Sequence, residues 1–117
     1  VAASEAQLRR AVLDAAALFG WTVHEVPEKA YMVLAKLARE NPRQGRLVPR
    51  RGFPDLLLLR AGSEGEPARM LALELKSARG AVRPEQAAVL ALLGAVPGVD
   101  ARVVRPADLE GLLGVLA

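Results

Sequence analysis

The chain has no cysteine and one histidine, His24, in 117 residues. Without thiols it can form neither a disulfide framework nor a thiolate metal site, which fits an intracellular protein. A single histidine also excludes a multi-histidine zinc site within one chain. Any metal would therefore be a hard cation held by carboxylate oxygens, such as magnesium with manganese able to substitute. No apolar run reaches the roughly 20 residues needed to cross a bilayer. The N-terminus lacks the basic and apolar blocks of a signal peptide. No membrane partner and a cytoplasmic location are the expectations. Charge of one sign is lacking too: the net charge is +3, with 13 acids present and a pI near 10.0. Such a balance permits contact with a polyanion without demonstrating it.

Apolar side chains are plentiful, at 52% of residues. Runs such as Leu56 to Leu59 need a closed interior, which rules out general disorder. The length suits one domain spanning residues 1–117. "SEAQLRRAVLDAAALFG" opens with a capping box of Ser4 and Gln7 and carries apolar residues at helical spacing. Gly20 follows it as a C-terminal stop. "WTVHEV" reads as a strand with Trp21 and Val23 on one side, and Pro27 opens a second helix, "EKAYMVLAKLARE". "DLLLLR" and "RMLALELKS" form a hairpin around a turn-rich loop. A helix from Pro84, a strand "DARVVR" and a closing helix "PADLEGLLGVL" complete the chain. The order is α-β-α-β-β-α-β-α, an α/β fold whose mixed four-stranded sheet is flanked by helices. The helix between the third and fourth strands makes that pair parallel.

Three charges stand out because they sit in apolar strands. Asp55 precedes the leucine run, and Glu74 and Lys76 interrupt "LALELKS". Alternation sends Leu71, Leu73 and Leu75 to one face of the third strand and Ala72, Glu74 and Lys76 to the other. The hairpin brings Asp55 to the same end. A symmetric closure places Asp55 opposite Leu75, so convergence on Glu74 calls for a one-residue offset or a bulge. Two adjacent carboxylates repel unless a proton or a divalent cation lies between them. The carbonyl of Leu75 is a third candidate oxygen. The competing reading is a buried Glu–Lys or Asp–Lys ion pair. Upstream, Arg43, Arg46, Arg50 and Arg51 crowd one segment, either a solvated loop or a grip on a polyanion. His24 is a candidate general base or a structural residue at mid-strand. Trp21 and Phe19 read as core.

Taken together, "GFPDLLLLR" and "LALELKSARGAVRPEQ" resemble the virus-type replication-repair nuclease (VRR-NUC) family. That family belongs to the PD-(D/E)xK restriction-endonuclease-like superfamily. The likeness extends to Glu5 in the first helix, to "GW" entering the first strand and to "VVRPADLEGLL". It departs from the family pattern between about residues 28 and 50. It implies a restriction-endonuclease-like core and a magnesium-dependent DNA endonuclease, hydrolysing phosphodiesters with a metal-activated water. Asp55 and Glu74, with the Leu75 carbonyl, would hold the metal. Lys76 would be the catalytic lysine, and Gln86 and Glu5 would support the site. Arg43, Arg46, Arg50 and Arg51 would bind the DNA backbone. Members of this size resemble resolvases of Holliday junctions, enzymes of DNA repair that act as homodimers. The helix bearing Tyr31, Met32, Leu34 and Leu37 is the candidate dimer surface. The setting implied is the cytoplasm of a bacterial cell or phage-infected host. Flap, nicked-duplex or restriction-type cutting, and a non-catalytic DNA-binding module of the same fold, are the alternatives.

Overall fold

A computed structural model describes residues 3–26, 36 and 52–117. Its elements are α1 (Glu5–Leu18), β1 (Thr22–Glu25), β2 (Leu56–Arg60), β3 (Arg69–Leu75), α2 (Pro84–Gly94) and β4 (Val99–Val104). A 3-10 turn (Pro106–Asp108) then leads into α3 (Leu109–Leu116). Pro106 thus opens the 3-10 turn rather than the closing helix itself. The expected second helix lies outside the described residues except for Lys36, which is helical and exposed.

Both ends of α1 follow from side-chain and backbone chemistry. Ser4 Oγ accepts from the Gln7 N–H at 3.1 Å, and Gln7 Oε1 accepts from the Ser4 N–H at 2.8 Å. The capping box therefore satisfies donors that a helix start leaves open. At the other end Gly20, at φ +79°, lets its own N–H reach Ala17 O and the Trp21 N–H reach Ala16 O. This pairing is a Schellman motif, which the positive φ of glycine permits.

The sheet order is β1-β2-β3-β4, antiparallel for the first two pairs and parallel for β3 with β4. One face buries Leu56, Leu58, Leu71, Leu73, Leu75 and Val104 against Leu8, Val12 and Ala16 of α1 and Leu112 and Leu116 of α3. Each such leucine removed from water contributes about 1.5–3 kcal/mol. The opposite face carries Ala72 and Glu74, with α2 laid over β3 and β4. Trp21 joins the first core, its Nε1 donating to Leu116 O at 2.9 Å. Arg60 also donates to Phe19 O and Leu116 O, at 2.8 and 2.7 Å, tying the ends of α1 and α3 to β2.

The hairpin register supplies the one-residue offset that convergence of Asp55 on Glu74 calls for. Leu56 faces Leu73 and Arg60 faces Arg69, so the line of pairs extends to Asp55 and Glu74 without a bulge. The register is set at the tip, where Ser63 and Glu66 exchange backbone hydrogen bonds at 2.9 and 3.0 Å around Glu64 and Gly65. Gly65 takes φ +85°, the left-handed conformation such a tight turn requires. The turn centre falls between Glu64 and Gly65, half a residue before the loop midpoint that had suggested Leu75.

Candidate functional site

Asp55, Glu74, Lys76 and Gln86 meet at one end of the sheet, beside the first turns of α1. Each is delivered by backbone geometry. Gly52 has φ +96°, and a Cβ there would stand 2.7 Å from the Glu85 carbonyl carbon and 2.9 Å from Gln86 N. Only glycine lets the chain lie this close to the start of α2. Pro54 is fully buried next to it. Asp55 then turns inward: its Oδ2 accepts the Leu75 N–H at 2.8 Å, while its carbonyl accepts the Val26 N–H at 2.9 Å. The aspartate carboxylate thus links β2 to β3 just beyond their ladder.

Glu74 is 3% exposed. Its Oε1 accepts from Gln86 Nε2 at 2.9 Å and lies 3.7 Å from Lys76 Nζ. Gln86 is oriented in turn by its Oε1, which accepts the Arg83 N–H at 2.9 Å, half of a capping box at the start of α2. The amide is therefore used at both ends, one to cap the helix and one to hold the carboxylate. Lys76, two residues on, shares the Glu74 face of β3. Its side chain keeps 15% of its surface in solvent.

Burial and the adjacent Asp55 push the Glu74 carboxyl from 4.5 up to about 7. A hydrogen bond shared with Asp55 and the more distant charge of Glu5 act in the same direction, and Lys76 opposes them. The site thus holds more negative charge than its own residues neutralise, and a proton on Glu74 relieves it at neutral pH. A divalent cation would relieve it equally, and two converging carboxylates are the donors such a hard ion takes. The described residues contain no group of three or more histidine, aspartate or glutamate side chains able to hold a metal. A cation here would accordingly rest on the two carboxylates, a backbone oxygen and water.

Two arginines at the site lie outside the sequence reading. Arg9 Nη2 is 3.4 Å from Asp55 Oδ1 and its Nη1 is 3.4 Å from Glu25 Oε1. Arg9 follows Glu5 by four residues and shares its helix face, but nothing local in the sequence ties that face to Asp55. Arg105 donates through Nη1 to Ser77 O and Gly80 O, at 2.8 and 2.7 Å, and so clamps the turn that follows Lys76. Only the parallel register, which sets Val104 beside Leu75, brings Arg105 there. His24 is exposed on β1. Glu5 is exposed in the first turn of α1 and reaches the site by its charge. Arg43, Arg46, Arg50 and Arg51 lie outside the described residues, as do Tyr31, Met32, Leu34 and Leu37.

No helix among the described residues is long and apolar enough to cross a membrane. No protein-family model, no curated protein and no solved structure matches the chain.

Proposed function

We propose that this chain is a magnesium-dependent DNA endonuclease of the VRR-NUC type, with a restriction-endonuclease-like core, acting on branched DNA such as Holliday junctions. The observation that carries the reading is the convergence at one sheet end of Asp55, Glu74 and Lys76, with Gln86 hydrogen-bonded to Glu74. Asp55 and Glu74 would hold the cation with the Leu75 carbonyl, and manganese would substitute. When bound, the cation supplies Lewis acidity toward a phosphate oxygen and toward water.

The remaining work belongs to the chain. Gln86 fixes the Glu74 carboxylate in one orientation. The Leu75 N–H does the same for Asp55. Lys76 holds an ammonium beside the pair, where negative charge grows on the phosphate as water adds and the P–O bond breaks. Glu5 orients water or a ligand at the mouth of the site. Arg43, Arg46, Arg50 and Arg51 grip the DNA backbone, a contact that positions without reading sequence. Two symmetric cuts across a four-way junction call for a two-fold dimer, built on the segment with Tyr31 and Met32.

A second reading is a non-catalytic DNA-binding module whose polar cluster is structural. Every buried side-chain nitrogen and oxygen among the described residues already has a partner, as that reading needs. Against it stands the cost of keeping Glu74 buried beside Asp55, which Lys76 offsets only in part. Labelled four-way, flap, nicked and linear duplexes, incubated with magnesium and with EDTA, separate the readings. Magnesium-dependent cutting, strongest on the four-way substrate, is expected. Binding without cutting of any substrate would establish the structural alternative, and preference for flaps or nicks would replace the junction assignment.

A further inference from the structure

Arg9 stands beside the candidate cation site with its side chain partly exposed. Its two guanidinium contacts are divided between Asp55 on the inside and Glu25 on the outside, both at 3.4 Å. Charge-assisted hydrogen bonds close to about 2.7–2.9 Å when a group is held firmly. Neither acid therefore holds Arg9 tightly. The side chain of Asp55 is 25% exposed and that of Glu25 is 55% exposed, so the guanidinium spans from a sheltered carboxylate to an open one. A shallow depression lined by Glu5, Ala6, Arg9, Arg10 and Leu13 opens this face of α1 to solvent.

The charges around Asp55 make this position consequential. Glu5, Glu25, Asp55 and Glu74 stand against Arg9 and Lys76. With all of them ionised, two negative charges remain, the amount that one divalent cation balances. Arg9 can therefore stay near the site when a cation arrives, but it cannot keep its place at Asp55, because like charges a few ångströms apart repel strongly.

We propose that Arg9 is a resident counter-cation that competes with the divalent cation for Asp55, and that Glu25 draws it off as the cation binds. This rests on the cation-site reading above. Arg9 then sets how much metal the site requires, and Glu25 tunes that requirement from outside.

Calorimetric titration of the full chain with manganese, in the absence of DNA, tests this. Arg9→Gln is expected to tighten manganese binding about fivefold, and Arg9→Lys to leave it near wild type. Glu25→Gln should weaken binding about threefold, because Arg9 then leans wholly on Asp55. In the Arg9→Gln background the Glu25→Gln effect should vanish, the mark of two residues acting through one contact. Arg10→Gln removes the same charge from the same helix, but Arg10 pairs with Asp14 at 4.0 Å and is not seen at Asp55. It should leave affinity within about twofold. Three results would each overturn the proposal. They are unchanged or weaker binding in Arg9→Gln, equal Glu25→Gln effects in both backgrounds, and an Arg10→Gln shift as large as that of Arg9→Gln. Asp55→Asn keeps the two readings apart. If it abolishes manganese binding while the arginine variants fail, the cation site stands and only the role of Arg9 falls. No manganese binding by the wild-type chain overturns both.

Discussion

At Glu74 burial and charge act against ionisation together. In the unfolded chain this carboxyl titrates near 4.5, whereas the folded protein raises it to about 7. Between those values the native state keeps a proton that the unfolded state has released. Its contribution to stability is thus fully present below pH 4.5 and is lost as pH rises through 7. The loss amounts to about 3 kcal/mol. Denaturant unfolding in EDTA from pH 5 to pH 8 should show this decline, and Glu74→Gln should flatten it. A decline of equal size in Glu74→Gln would assign it to other groups. The same cost explains why the site was legible at this scale. Asp55, Glu74 and Lys76 announce themselves because a charge in an apolar strand must be compensated. Arg9 announces nothing of the kind. It sits on a polar helix face where arginine is unremarkable, and only the folded packing of α1 over the sheet brings it to Asp55.

Among the elements, the β2–β3 hairpin and the start of α2 decide whether those side chains converge. Gly52 is the tightest joint, being both left-handed and in contact with the backbone of Glu85 and Gln86. Gly52→Ala is expected to cost at least about 2 kcal/mol, since the left-handed conformation alone costs a residue with a Cβ about 1–2 kcal/mol. Because the new Cβ pushes on Gln86, the variant should also bind manganese more weakly at temperatures where it remains folded. Intact binding beside a full stability loss would show that Gly52 serves the fold alone. Arg105 acts on the turn after Lys76. Arg105→Ala should lower stability by about 1–3 kcal/mol through the loss of its bonds to Ser77 and Gly80. It should reduce cutting while leaving manganese affinity unchanged, because neither carboxylate is touched. Weakened manganese binding would place Arg105 in the site itself. Most elements were legible, since caps, prolines and apolar spacing mark them locally. The hairpin register was not. It depends on where the tip turns, and a shift of half a residue at Glu64 and Gly65 moves Asp55 from Leu75 to Glu74.

For the molecule as a whole, the leucine face of the sheet is closed by α1 and α3, and the site lies at an end of the sheet where three separate elements arrive. Such an arrangement commits the interior to stability and sets the polar cluster of Asp55, Glu74, Lys76 and Gln86 at its edge. Parallel pairing of β3 with β4 followed from the intervening helix, and the antiparallel pairing of β2 with β3 from the hairpin, whereas the place of β1 beside β2 was not legible because a long segment separates them. With a net charge of +3, the proposed attraction to DNA would come from local clusters such as residues 43–51 rather than from the total. Binding should accordingly weaken with salt, the logarithm of affinity falling by about 0.9 per phosphate contacted for each tenfold rise in concentration. Asp55, Glu74 and Lys76 are proposed to form a cation-dependent phosphodiesterase. The most direct measurement is single-turnover cleavage of one labelled four-way junction, with magnesium or EDTA, by the wild-type chain and by Lys76→Ala. Cutting by the wild type in magnesium alone is expected, with loss of at least about a hundredfold in Lys76→Ala. Cutting that persists in EDTA, or at wild-type rate in Lys76→Ala, would contradict the account.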